Sequence, residues 1–508
     1  MDHIPSQLRD LLPPERVFTS STPEFKEYVK FYNQSLTDSP LAIIRPVTED
    51  EVSRTLRFCS TIGIRSAVRS GGHDFFGRSL TANGVLLDMR RMKSVSIAPD
   101  QGSVRVGGGI IAGDLQEILD RHGLFTPTGQ SKTVGYVSWA CGGGYGFYVG
   151  SYGFGVDQIL GAKVVTANGT VINTREDEEL LWALRGAGAG TFGVVTELTV
   201  KVYPVPKLYA GYLAFALSQA QVVLDGFQRL VTTHFPDEFS GDALVAHADM
   251  LPLGLSEPCF AFLWCWTTKN GDLEPAKIFL RKMTDLGTVL ANTVEETSPA
   301  VYGVGDSSSP TFFRSINIQQ LDADIGAIFE SFPPVYPLSA VVIHNNHGIF
   351  VEEKRRDAVD SCFANRFPHI ILGFHGGTYS GAVFNTSALA EARDWVERLK
   401  AKVERTGLAM TKKFPSFCPP EEVNLLQCFD QHTLDRQLLT HTSGMAYALE
   451  YVSPDLVERV NGIRLGEVMQ RHILQPLGIS DMEFRLEERQ DMRACLAQCY
   501  EHSDEGVF

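Results

Sequence analysis

Two glycine-bearing loops and one histidine carry the most legible chemistry in this chain. The first loop reads Arg69-Ser70-Gly71-Gly72-His73-Asp74 and follows an apolar stretch, Ile64 to Val68, with strand character. Adjacent glycines let backbone N–H groups approach an anionic ligand, because no Cβ stands in the way and a positive φ costs little. A histidine at that point can offer a neutral imidazole nitrogen as a nucleophile. Gly-Gly-His also occurs in ordinary turns, so the motif gains its weight from two further glycine clusters downstream.

The second loop runs Val134-Gly135-Tyr136 and continues to Gly142-Gly143-Gly144-Tyr145-Gly146. A third cluster, Gly186-Ala187-Gly188-Ala189-Gly190, leads to Gly193-Val194-Val195-Thr196. Its Gly-x-Gly-x-Gly spacing invites comparison with a dinucleotide fingerprint. That fingerprint needs a helix after the glycines, whereas this cluster opens a Val-rich strand. An Asn168-Gly169 turn between β-branched runs marks a hairpin just before it.

These loops need scaffolds, and the chain is long enough to supply them. Its 508 residues, 44% hydrophobic and 21% charged, are those of a globular protein with a large core and more than one domain. A net charge of -15 argues against nucleic acid and anionic membrane surfaces as partners. No apolar run reaches the roughly 20 residues of a membrane span. The opening Met1-Asp2-His3-Ile4-Pro5 lacks the basic and apolar regions of a signal peptide, which predicts an intracellular, cytoplasmic protein. Nine cysteines without paired spacing point to reduced thiols, and Cys495 and Cys499 lack the partners of a metal site, so no metal is expected.

Four regions precede a divergent tail. Residues 1–40 are a lead-in, 41–206 alternate Val/Ile strands with glycine turns, and 207–405 place helical stretches between aromatic and β-branched strands. The helical stretches are Ser218 to Thr233, Glu274 to Leu286 and Ser387 to Val403. This pattern predicts an α+β fold whose second half is an antiparallel sheet backed by helices on one face. Read with period two, one face of His369 to Tyr379 (His369, Ile371, Gly373, His375, Gly377, Tyr379) alternates polar groups with side-chain-free gaps, as a ligand-facing surface would. His344 lies in a similar polar cluster, His344-Asn345-Asn346-His347. Phe260, Phe262, Trp264 and Trp266 share a strand face that reads as core.

The order of Arg-Ser-Gly-Gly-His, Gly-Gly-Gly-Tyr-Gly and Gly-Val-Val-Thr over residues 35–430 resembles the vanillyl-alcohol-oxidase (PCMH-type) flavoproteins, in the berberine-bridge-enzyme-like branch. The resemblance implies a two-subdomain FAD-binding half and a substrate domain that roofs the isoalloxazine ring. It makes 41–206 the FAD domain, 207–405 the substrate (cap) domain and 406–432 the start of a returning FAD-domain segment. It also implies that His73 bonds covalently to the flavin and that Arg69, Ser70, Gly71, Gly72 and Asp74 meet the pyrophosphate. Gly135, Gly142, Gly143, Gly144, Tyr145, Gly146, Gly193, Val194 and Val195 are carried over as the remaining cofactor contacts. Many relatives form a second flavin bond through a cysteine where this chain has Ser131, so a single link is expected. Val134 matches a position that gates oxygen and looks like that of oxidases. The implied function is an FAD-dependent oxidase that removes a hydride from a small secondary metabolite, with molecular oxygen as partner. Tyr379, His375 and His344 are the candidate bases. The alternatives are a sugar or alcohol oxidase of the same family, a flavoprotein without a competent base, and an acyl-transferring hydrolase run by the tail.

The tail, 433–508, departs from that pattern. Leu438-Leu439-Thr440-His441-Thr442-Ser443-Gly444 and Leu474-Gln475-Pro476-Leu477-Gly478 resemble a fragment of a serine β-lactamase-like hydrolase. The Ser-x-x-Lys nucleophile of such enzymes is absent from the sequence, which predicts a tail without hydrolase chemistry.

Overall fold

A computed structural model describes residues 3–188, 190–305, 307–351, 360–380, 385–430 and 433. The hydrolase-like reading of the tail falls outside these residues.

Among the described residues, the first half holds two larger sheets and a two-stranded pair, Leu124–Phe125 with Tyr203–Pro204. In the smaller of the two larger sheets, Ala42–Ile44 and Ser66–Arg69 both run parallel to the central strand Val85–Asp88, and Val17–Phe18 closes one edge. Parallel neighbours require a crossover. The helix Glu49–Thr61 provides it, started by a Thr48/Glu51 capping box with three acidic residues in its first turn. The strand Ser66–Arg69 therefore ends at Arg69, and the Ser70–Asp74 loop leaves from its carboxyl end. The second sheet is antiparallel, in the order Val95–Ile97, Ser103–Gly107, Val194–Lys201, Ile159–Val165, Val171–Asn173. Gly169 turns the last hairpin at φ +80°. The strand after the third glycine cluster is Val194–Lys201, as the Val-rich run predicts.

The second half is built on an antiparallel sheet. Its order is Val289–Asn292, Lys207–Ala216, Cys259–Thr268, Ala243–Ala246, Ser339–Asn346, His369–Gly377 and Thr311–Ile318, with Glu295–Thr297 also paired to Lys207–Ala216. Cys259–Thr268 shows how the sequence orients the layers. Phe260, Phe262, Trp264 and Trp266 join the core with Phe227, Phe279 and Phe329 of the helices Ala220–Thr233, Glu274–Thr284 and Ala323–Ser331. The alternate residues Cys259, Ala261, Leu263 and Cys265 are smaller and pack against Phe125, Phe147 and Tyr148 of the first half. Large side chains thus fill the deep helix-backed layer, and small ones let the two halves approach. Each buried Phe or Leu is worth about 1.5–3 kcal/mol of removal from water.

Helices form at Ala220–Thr233, Glu274–Thr284 and Thr386–Glu404, close to the predicted spans. Ala323–Ser331 was not foreseen, because nine residues give little periodicity. Its signals were the Asp322 N-cap and Gly326, where a Cβ would sit 2.6 Å from the Ala220 carbonyl oxygen. The chain from Phe414 to Phe429 then returns to the first half, packing Phe414 and Phe417 against Tyr145, Phe363 and Phe313.

Candidate active site

The first two glycine loops meet backbone to backbone. A Cβ on Gly71 would overlap the Gly135 amide, and one on Gly135 would overlap the Gly71 amide and Ser70 Oγ. Only glycine permits this crossing. Above it, His73 Nε2 lies 2.7 Å from Thr133 Oγ1, and Ser131 Oγ is 3.5 Å from the same hydroxyl. Tyr32 stacks on the His73 ring at 4.3 Å, and its amide donates to Gly72 O. Ser70 Oγ anchors the loop by donating to Gly108 O at 3.0 Å, while Asp74 caps the amides of Phe76 and Ser79.

Arg69 departs from its expected contact with the pyrophosphate. Its side chain is fully buried, pairs with Asp88 Oδ2 at 2.9 Å and donates to the carbonyls of Tyr28 and Lys30. Burial pulls the guanidinium down to about 10, even with Asp88 beside it. Arg69 therefore braces the loop from beneath. The third glycine cluster also serves packing. Gly193, at φ +142°, approaches Val165 O, and Val194 and Val195 are buried strand residues paired with Val165 and Val164. Within the second loop's continuation, a Cβ on Gly143 would stand 2.7 Å from Phe363, and one on Gly144 2.5 Å from Gly155. Gly142 faces Ser138 O at 3.1 Å from its own would-be Cβ, and Gly146 abuts Thr128 O.

The face of the second-half sheet that meets these loops carries His344 and His375. Register places Ala340 opposite His375 and His344 opposite Ile371, so both histidines point to the same side. Phe75, two residues beyond His73, stacks on Phe313 at 4.3 Å and meets His375 edge-on at 5.1 Å. Phe417 lies nearly parallel to the His344 ring, 6.0 Å away. The His73 loop, the sheet face and the returning segment thus converge.

An acid lies behind His344. Asp242 Oδ2 is 3.6 Å from His344 Nδ1, which has no hydrogen-bond partner among the described residues. The buried Asp242 carboxylate also accepts from Asn345 N at 2.9 Å and from Gln130 Nε2. Gln130 belongs to the loop that bears Ser131 and Thr133, so it joins the two halves at this point. Sequence reading missed both Asp242 and Gln130. The available signal was an acid placed immediately before the wholly buried strand Ala243–Ala246.

The three candidate bases separate clearly. Burial pushes His375 down to about 3, with the neighbouring His344 adding to the shift, so it stays neutral. Tyr379 lies beyond the end of its strand, 46% exposed, with its ring against Tyr336. The structure brings His344 and His375 together and leaves Tyr379 at the margin. Tyr145 is buried, with its hydroxyl 3.0 Å from His369 Nε2 and 3.3 Å from Asn365 Nδ2. Burial raises its phenol well above the usual range and lowers His369 to about 4, which keeps both neutral.

The loops suit an anionic cofactor. Gly71 and Gly72 have no acceptor for their amides among the described residues, and Gly72 takes φ +83°. Such adjacent donors match a pyrophosphate. Among the described residues, no cluster of side chains could hold a metal ion, and no helix is long and apolar enough to cross a membrane.

Comparison with known proteins agrees with this geometry. The FAD binding domain family matches residues 40–175. FAD-linked oxidoreductase aurO of Gibberella zeae is 34% identical over 427 residues, covering 81% of this chain and 80% of that protein. (R)-6-hydroxynicotine oxidase of Paenarthrobacter nicotinovorans is 38% identical over 211 residues, 40% of this chain and 46% of the relative. Among solved structures, 6-hydroxy-D-nicotine oxidase from Arthrobacter nicotinovorans superposes with a TM-score of 0.70 at 24% identity, covering 87% of this chain and 95% of that one. Physcomitrella patens BBE-like 1 gives 0.69 at 21% identity, covering 85% and 95%. The similarity to aurO over four fifths of both chains, with the glycine loops and the FAD binding domain match, shows that the chain belongs to the FAD-linked oxidoreductases and is an FAD-dependent oxidoreductase.

Proposed function

We propose that this enzyme holds FAD through a single covalent bond at His73 and uses molecular oxygen as its electron acceptor. We further propose that it oxidises a planar, largely apolar secondary metabolite at a carbon bearing a hydroxyl or amine. One observation carries the reading: the His73–Thr133 junction and the His344–Asp242–Gln130 chain lie on the two sides of one interface, joined through the loop containing Gln130, Ser131 and Thr133.

FAD, when bound, supplies the hydride acceptor. The chain's own residues have three tasks. Thr133 accepts or donates at His73 Nε2 and so orients the ring for attachment. Gly71 and Gly72 offer amides to the pyrophosphate. His344 takes the proton from the substrate hydroxyl or amine at Nε2, with the Asp242 carboxylate 3.6 Å behind its Nδ1. Phe75, Phe313 and Phe417 form the wall against which a flat substrate lies. Ser131 stands where a thiol would make a second link, and its hydroxyl is too weak a nucleophile to do so.

The oxygen assignment rests on Val134, a half-buried side chain next to the Gly71–Gly135 crossing. The test is the reoxidation of photoreduced protein on mixing with air-saturated buffer. The wild type should reoxidise rapidly and release peroxide, and Val134→Leu should slow this step while leaving flavin content unchanged. A wild type that reoxidises sluggishly but passes electrons readily to an artificial dye would make the protein a dehydrogenase.

A further inference from the structure

The end of the lead-in, Tyr28 to Ser35, runs beside the His73 loop and is held from both sides. From beneath, Arg69 donates to the carbonyls of Tyr28 and Lys30, and its guanidinium lies 4.8 Å from the Phe31 ring centre. Towards the second half, Gln34 N donates to Ser309 O at 3.0 Å and Gln34 Nε2 to Ser308 Oγ at 2.9 Å. Between these anchors lies Asn33, only 2% exposed, with both ends of its amide engaged. Its Nδ2 donates to Phe75 O at 2.8 Å, and its Oδ1 accepts from Thr311 N at 3.1 Å and from Ser35 N at 3.0 Å. One buried side chain thus joins the His73 loop to the strand Thr311–Ile318.

We propose that Tyr32, carried by this segment, is the positioning residue for flavin attachment at His73, with Asn33 fixing the segment in place. The proposal rests on the covalent reading given above. The Tyr32 ring stacks on the imidazole with centroids 4.3 Å and planes 22° apart, while Thr133 Oγ1 holds the ring edge at Nε2. Tyr32 N also donates to Gly72 O at 3.0 Å, which sets the tyrosine backbone against the residue before His73. The two ring contacts have different effects. A hydrogen bond fixes one atom and lets the ring turn about it. A stack fixes the ring plane, and it does so without occupying a ring nitrogen. Together they hold a half-buried imidazole in one orientation.

Attachment needs that orientation. The new C–N bond replaces one C–H of a methyl group on the isoalloxazine and the N–H of His73. Both hydrogens and the electron pair pass to the isoalloxazine, so the step balances without another reactant. The chain's part is to present the imidazole nitrogen along one direction, which is the contribution of orientation to rate.

The test follows attachment in full-length wild type, Tyr32→Phe, Tyr32→Leu and Asn33→Ala, from induction of expression through purification and incubation with excess FAD. Acid precipitation separates attached from released flavin, and total bound flavin and Tm are measured on the same samples. Tyr32→Phe keeps the stacked ring and should attach flavin at close to the wild-type rate. Tyr32→Leu should keep its bound FAD and its Tm, yet attach the flavin about 10–100-fold more slowly, the scale for a misplaced reacting group. Asn33→Ala, which frees the segment from Phe75 and Thr311, should slow attachment in the same direction. Tyr32→Leu attaching at the wild-type rate, or losing bound and attached flavin in equal proportion, would overturn the proposal and leave the His73 bond standing. A wild type that releases all of its flavin would overturn both, and is told apart because no variant then retains any.

Discussion

Gln130 donates a hydrogen bond to the Asp242 carboxylate and thereby ties the loop of Ser131 and Thr133 to the sheet that carries His344. The contact crosses from one half of the enzyme to the other. It makes the orientation of a candidate base depend on the same loop that touches His73.

Replacing Asp242 with Asn should therefore impair the proton-transfer step more than binding. Asn can keep one acceptor for Asn345 N, but it places no negative charge behind His344. A loss in kcat of about 10²–10⁴-fold is the range for a general base, and His344→Gln should fall in the same range. Gln130→Ala should show a smaller loss. Steady-state kinetics on any identified substrate decide the matter, with the pH–rate profile as the second readout. A D242N enzyme with unchanged kcat and only a raised KM would place the base elsewhere.

The Gly71–Gly135 crossing predicts steric sensitivity without charge. Gly71→Ala or Gly135→Ala inserts a methyl group into backbone, at a cost of about 1–3 kcal/mol for overpacking. Either variant should purify with a markedly lower flavin-to-protein ratio. Gly190→Ala, whose added methyl would meet nothing within 4 Å, is the control for a glycine with space around it, though its φ of +102° carries some strain. Equal flavin content in all three would remove the crossing from cofactor retention.

Two buried histidines set a pH dependence. His369 is lowered to about 4 and His375 to about 3, mainly by burial, from 6.5. Below 6.5 the unfolded chain takes up protons that the native state refuses. Stability is thus fully present above that pH and is lost as pH falls through each native value. Each group contributes a slope of up to ~1.4 kcal/mol per pH unit within its window. Urea unfolding at a series of pH values should show His369→Gln, which can still bond Tyr145, with a shallower decline between 6.5 and 4. An unaltered slope would mean that His369 protonates in the native state.

Ser131 offers a gain-of-function test. Its hydroxyl lies in the His73–Thr133 cluster, so Ser131→Cys introduces a thiol beside the attachment point. In a His73→Ala background, Ser131→Cys should return part of the flavin to acid-stable attachment. Flavin that remains wholly extractable from the double variant would show that this side chain does not reach the ring system.

Much of the architecture was legible because it rests on local rules. Gly71-Gly72 beside His73 marked a loop open to a ligand, though not its crossing with Gly135, and the aromatic stripe from Phe260 to Trp266 gave the helix-backed face. Arg69 was misread because sequence shows a cation beside a glycine loop but cannot show Asp88 beneath it. Tyr379 shares parity with His375, yet the strand ends at Gly377 and leaves the tyrosine outside. Asp242 and Gln130 escaped notice because their meaning arises only when residues distant in sequence meet across the two halves.

The most direct measurement is acid precipitation of the purified enzyme, followed by flavin absorbance of pellet and supernatant. With a bond at His73, the wild-type pellet should retain the flavin, and the His73→Ala pellet should be colourless with any bound FAD in the supernatant. A wild type that releases all of its flavin, or a His73→Ala variant that retains it, would contradict the account.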